Sequence, residues 1–272
     1  MKINSLNSNL DVNIGKVSFA SNVSNSNSSD FVTQKEFVSS PTSNALKSYA
    51  VSHIELQKLR KLQKTFQDVF LNPDISIGEA KIMLDRYKEL EKIEDKTEYT
   101  RAVFEEVKRN FGFKNSKIEL EIAPNETMKG YVGSADQAFT RLQIREDVPK
   151  ESILETIHHE FRHFKQHYLS YKYSPELYRD AVAKRIETVS GGKVKNAWRD
   201  LNKFVEWINQ NIGEDVSMST IPPQYKMFAQ KCLKATESYV YPDASMDGYW
   251  DNFAEEDARY NSKLIAKLIK SK

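Results

Sequence analysis

The chain has 272 residues, the length of one large domain or two small ones. Hydrophobic residues make up 39% and charged residues 29%, which suits a soluble, polar globular protein and excludes collagen-like, coiled-coil-only and membrane-spanning classes. Forty Lys and Arg against 38 Asp and Glu leave a formal charge of +2, too small a field to hold a phosphate backbone, so neither nucleic acid nor a membrane is expected as a partner. Cys232 is the sole cysteine, which forbids an internal disulfide and leaves any metal to histidines and carboxylates.

Residues 1–45 hold 19 Ser or Asn and no sustained apolar periodicity, and they read as a disordered leader. The leader lacks the apolar stretch of a secretory signal, so the expectation is a cytoplasmic protein or one exported by a non-classical route. From 46 to 112 the pattern is helical and reads as a helical subdomain. Leu59, Leu62, Phe66 and Val69 recur at helical steps, with Lys58, Arg60, Lys61 and Lys64 on a solvated face. A second helix opens at Ser76, where Ser76 and Glu79 have capping-box spacing and Ala80, Met83, Tyr87 and Leu90 form the buried stripe. A third carries Val103, Phe104, Val107 and Phe111 and stops near Gly112.

The period then changes to two. Ile118, Leu120 and Ile122 alternate with charged residues, and Thr140, Leu142 and Ile144 with Arg141, Gln143 and Arg145, which predicts a small sheet. Tyr131 and Val132 offer a weaker strand between Gly130 and Gly133. From Pro149 onward the chain is helical again, with breaks near Gly191-Gly192, Gly213, Pro222-Pro223 and Pro242 to Gly248.

Four of the five histidines lie in one stretch, His158, His159, His163 and His167, and His159-Glu160-Phe161-Arg162-His163 is H-E-x-x-H. A chance match has a probability of roughly half a percent. Leu154, Ile157, Phe161, Phe164 and Tyr168 share a sector of about 80°, which makes the segment a helix. On it His159 and His163 sit one turn apart, so both imidazoles reach one ion, with Glu160 at the edge of the same face as a general base. A catalytic zinc needs a third protein ligand and an open position for water. His167 lies about 12 Å beyond His159 along a continuous helix, too far to share the ion, and reads as a solvent-exposed or substrate-rim residue. The third ligand is sought in Glu255, Glu256 and Asp257, in the first turns of the last helix, where negative charge also suits the helix dipole.

The segment LETIHHEFRHFKQ resembles the active-site helix of gluzincin-type zinc metallopeptidases, and Glu255-Glu256-Asp257-Ala258 resembles their downstream E-x-x-A motif. The resemblance implies that Glu255 is the third zinc ligand, with Glu256 as the fallback. It implies a zincin-like domain over 113–272, and it departs at Arg259, where several of these families place an Asp that supports a zinc-binding His. A competing motif, Asp243, Ser245, Asp247, Gly248 and Asp251, has the spacing of an EF-hand loop, but Ala254 occupies the place of its bidentate Glu.

The expected fold is thus mainly helical α+β, with a small sheet against the active-site helix. The expected function is zinc-dependent hydrolysis of a peptide or protein substrate, with His159, His163 and Glu255 on the metal and Glu160 as base. Donors for the oxyanion are sought among Tyr239, Tyr241, Tyr249 and His167. The strand at 139–145, just before the active helix, is expected to be the edge strand on which an extended peptide can pair. Two other readings keep the same residues. One is a zinc amidase acting on cell-wall peptides or another small amide, and the other is an inactive helical binding module that recruits a partner through 46–112.

Overall fold

Local signals start most of the helices where the sequence places them. In the computed structural model, which describes residues 42–128, 131–190, 198–216, 220–239 and 245–270, the first helix, α1, spans Thr42–Phe70. The leader expectation up to 41 lies outside the described residues, and its last residues, 42–45, are helical. Helix α2, Ile77–Leu90, opens with the capping box: Glu79 N–H donates to the Ser76 hydroxyl at 3.2 Å and Ser76 N–H to the Glu79 carboxylate at 2.7 Å. Helix α3, Lys96–Asn110, is capped by Asp95 and ends before Gly112, whose φ of 86° is a left-handed conformation that glycine adopts without strain.

Three short strands follow: β1 Glu119–Ala123, β2 Gly133–Ala135 and β3 Arg141–Arg145. Their order is β1-β3-β2, with β1 parallel to β3 (Ile122 opposite Ile144) and β2 antiparallel to it (Ser134 opposite Gln143). The expected edge strand is therefore the central one. The weak strand signal around Tyr131 and Val132 is realised two residues later as β2, which takes the edge because the chain reverses onto β3 before the helix begins.

Helix α4, Lys150–Tyr173, follows the sheet. Its stripe of Leu154, Ile157, Phe161, Phe164 and Tyr168 is buried as its periodicity requires, and Phe161 stacks on Phe111 at 5.9 Å and packs at a tilt against Phe104 at 5.5 Å between ring centroids. The opposite face is buried too. Helices α5 (Pro175–Ser190), α7 (Lys226–Glu237) and α9 (Phe253–Lys270) pack on α4 alongside α3, so it has little solvent face to offer its polar residues. Helix α6 is Leu201–Ile212 and the short α8 is Met246–Trp250. The main tie from α9 is a bidentate pair in which Arg162 Nε and Nη2 donate to Asp257 at 2.6 and 2.9 Å.

Residues 47–272 form one compact unit. The boundary expected near 112 falls inside its hydrophobic core, where Phe70 of α1, Phe111 and His158 of α4 are ring neighbours. Among the described residues no helix is long and apolar enough to cross a membrane.

His158 shows how far this burial goes. It is 1% exposed, with Nε2 3.0 Å from the Tyr87 hydroxyl. Burial pushes its pKa from 6.5 down to about 3, so the folded chain keeps it neutral. The unfolded chain protonates this histidine as pH falls below about 6.5, and the folded chain does not until about 3. Its stabilising contribution is therefore complete above pH 6.5 and is lost progressively down to about pH 3. A His158→Gln variant, which cannot titrate, is expected to be less stable at pH 8 but to lose stability less steeply between pH 6.5 and 4.5. The slope difference is at most about 1.4 kcal/mol per pH unit in urea unfolding. Equal slopes would remove His158 from the acid response.

Candidate metal centre

Four-residue spacing on α4 puts His159 and His163 on successive turns, and both rings turn toward the start of α9. Their Nε2 atoms are 3.1 Å apart, with ring planes at 82°. Glu255, in the first turn of α9, completes a triangle: Oε2 lies 3.3 Å from His159 Nε2 and Oε1 lies 3.4 Å from His163 Nε2. Each residue contributes one donor atom to a set lying within 4.8 Å, a group that could hold a metal ion. A tetrahedral ion with ligands at about 2.1 Å has ligand–ligand edges of about 3.4 Å, close to the nitrogen–nitrogen distance and to the distance from each nitrogen to one of the two carboxylate oxygens.

The electrostatics follow from the crowding. Burial alone would lower the His163 imidazole, but the Glu255 charge outweighs it and pushes the pKa up to about 9. Burial works to raise the Glu255 carboxyl, and the two imidazoles overcome it and hold the group well below its ordinary range. Glu255 is 2% exposed and its Oε2 has no hydrogen-bond partner.

The neighbouring carboxylates are separated from this site by the 100° step of the helix. Glu256 is exposed, which removes it as the fallback ligand. Asp257 points to Arg162 and also accepts from Gln166 Nε2 at 2.8 Å.

Glu160 is buried at the edge of the cluster, against β2. Glycine at strand position 133 leaves room for this carboxylate: a Cβ there would stand 2.6 Å from Glu160 Oε1 and force that side chain to move. The Ala135 backbone also hydrogen-bonds the carboxylate. Burial raises the Glu160 pKa, opposed by the charge of the two imidazoles. Glu160, the three donor residues, Tyr239 and Tyr249 line one cavity of about 290 Å³.

Of the expected oxyanion donors, Tyr239 donates its hydroxyl hydrogen to Glu255 Oε1 at 2.8 Å and packs edge-on against Tyr249. Burial, with Glu255 beside them, pushes both phenols above their usual range, so both stay protonated. Tyr241 lies outside the described residues. His167 is not solvent-exposed as expected: α5 covers it, its ring packs on Tyr178 at 5.8 Å, and it lines the cavity wall away from the donor triangle. The EF-hand spacing does not produce a loop. Ser245 caps α8 by accepting from Gly248 N–H at 3.1 Å, which winds Asp247 and Gly248 into a helical turn, and Asp243 is outside the described residues.

Two features of the site belong to no sequence motif. Gln166 Oε1 stands 2.9 Å from His163 Nδ1, on the side of the ring away from the donor cluster. Its only sequence signal is its place three residues after His163. Gly133 is the other, and its isolation beside a strand signal is the clue to a close backbone approach. Arg259 instead lies over the Trp250 ring at 4.1 Å and donates to the Trp250 carbonyl at 2.6 Å.

No family model, curated protein or solved structure matches this chain.

Metal analysis after dialysis is expected to find about one transition-metal ion per chain in wild type, little in His163→Ala and Glu255→Ala, and the wild-type amount in Glu256→Ala. Loss in Glu256→Ala equal to that in Glu255→Ala would overturn the donor assignment.

Proposed function

We propose that this protein is a zinc-dependent hydrolase of peptide bonds, with a zincin-like arrangement of sheet and active-site helix. The observation that supports it most is the donor triangle of His159, His163 and Glu255 with a buried carboxylate, Glu160, lining the same cavity. Two imidazole nitrogens and a carboxylate are a donor set that suits zinc, and three protein ligands leave a position for water. The resemblance to gluzincin-type metallopeptidases points the same way.

Bound there, zinc would lower the pKa of a water toward about 7 and polarise the substrate carbonyl. The carboxylate of Glu160 takes the proton of the attacking water and later delivers it to the leaving amine. Burial raises its proton affinity toward that role. Gly133 and the Ala135 backbone hold the carboxylate in one place. Tyr249, neutral and lining the cavity, donates a hydrogen bond to the oxyanion.

The surroundings favour an extended substrate. A second cavity of about 510 Å³ also reaches His159, Glu160 and Tyr249, and Val132, Val148, Met246 and Trp250 give it an apolar lining. Val132, Met246 and Trp250 are each about half exposed, which is costly for large apolar groups unless something covers them. A peptide passing from one cavity to the other would place its scissile bond at Glu160 and a large apolar side chain in the second. Strand β2 pairs with β3 alone among the described strands and lines both cavities, so a peptide backbone lying in them would run along its other edge, beside the Ala135 group that Glu160 takes.

On a broad peptide library, Glu160→Gln is expected to retain the metal and lose about 10²- to 10⁴-fold in kcat/KM. Gly133→Ala, which displaces the same carboxylate, should lose rate with metal content unchanged. Wild type that carries zinc and cleaves no peptide in the library would refute the proposal. A Trp250→Ala variant should raise KM for peptides with a large apolar residue beside the scissile bond and leave KM for small-residue peptides alone. A uniform change would place the apolar subsite elsewhere.

A further inference from the structure

Resting on the metal-centre reading above, we infer that Gln166 is the positioning residue that decides which nitrogen of His163 faces the centre, and that Asp257 and Arg162 decide the orientation of Gln166. A glutamine amide has one end that accepts and one that donates. Gln166 meets three groups: His163 Nδ1 at 2.9 Å, Asp257 Oδ2 at 2.8 Å and the Ala254 carbonyl at 2.9 Å. A carboxylate and a carbonyl oxygen only accept, so the amide nitrogen must face both of them. The amide oxygen therefore faces His163, and because it only accepts, Nδ1 must carry the hydrogen.

In a neutral ring that leaves the lone pair on Nε2, the atom 3.1 Å from His159 Nε2 and 3.4 Å from Glu255 Oε1. The polarity is set further back in the series of contacts. Arg162 has no acceptor, and its Nε and Nη2 fix both oxygens of Asp257 as acceptors. Its Nη1 donates to the Asp68 and Val69 carbonyls near the end of α1. Asn261 Nδ2 adds a donor to Asp257 Oδ1 at 3.0 Å. Every member of the series from α1 to the imidazole has one polarity available to it, so the ring has one orientation and one tautomer. Gln166 is 2% exposed and Arg162 3%, so bulk solvent has little access to these positions.

The test is zinc affinity by competition with a chromogenic chelator, on the full chain, with each variant's fold checked by circular dichroism. Gln166→Leu is expected to weaken zinc binding about 10- to 100-fold. Gln166→Glu keeps an oxygen toward Nδ1 but, like the Leu variant, loses the donor to Asp257 and Ala254. It is expected to hold zinc close to wild type even where its stability falls. Equal weakening in both variants would mean that Gln166 only packs α4 against α9, and it would overturn the inference, as would unchanged affinity in Gln166→Leu. Nitrogen NMR of wild type loaded with an NMR-active cadmium isotope decides the point without a substitution. Coupling to His163 Nε2 with a slowly exchanging Nδ1–H is expected, and coupling to Nδ1 overturns the inference even if the Leu variant does not fold. Wild type that takes up neither metal removes the centre itself, whereas tight wild-type binding with an unaffected Leu variant removes only the role of Gln166.

Discussion

Helix α4 has almost no solvent face over its middle turns, and this constraint organises the rest of the structure. His158, Glu160, Arg162, Gln166, His167 and Ser170 are all buried on it. A buried polar group without a partner costs roughly 1–3 kcal/mol, and a charged one costs more. Several of these residues therefore draw in other elements. His158 meets Tyr87 of α2, Glu160 meets the backbone of β2, and Arg162 reaches the end of α1 and Asp257 of α9. Gln166 is bonded twice to α9. The apolar stripe gives the helix its place in the core, while the polar residues determine which neighbours surround it and in what register.

The parts of the molecule legible in the sequence are those set by local rules. The capping box at Ser76, the stop at Gly112 and the period of α4 depend on residues within a few positions of one another, and all three appear as expected. The histidine pair is legible for the same reason, since helical geometry alone brings Nε2 of 159 and 163 together. Glu255 needed a long-range contact between α4 and α9, and only the family resemblance singled it out from Glu256 and Asp257. The physical reason for the choice is rotation: the carboxylate facing the imidazoles is the buried one, its neighbour points to solvent, and the next meets Arg162.

What was not legible depended on coverage by distant elements. His167 looks like a surface residue on a helical wheel drawn for α4 alone, and it is buried because α5 and Tyr178 lie over it. The strand expected at 139–145 reads as an edge by its likeness to zincin folds, and it is central because a three-residue strand containing glycine pairs beside it. That short strand has too little periodicity to be found by alternation. Its glycine is there for the space that Glu160 requires, a side-chain contact across about thirty residues of sequence.

A salt bridge does not by itself account for the cluster of His159, His163 and Glu255. One imidazolium is enough to offset a buried carboxylate, and a second imidazole aimed at the same point adds a repulsive lone pair unless something positive lies between the rings. A proton on His163, which the Glu255 charge favours by pushing that pKa up to about 9, provides part of that relief, but a proton joins two atoms and three donors converge here. A divalent cation at about 2.1 Å from each would satisfy all three together, at separations close to those already present. Gln166 fits this account better than a packing role does, because an oxygen held against Nδ1 reserves Nε2 for the shared centre. The arrangement therefore favours a cation over a proton as the partner of Glu255. On the proposed function Glu160 would also have a reason to be buried beside the cluster, since a carboxylate with raised proton affinity suits a base next to an ion that acidifies water.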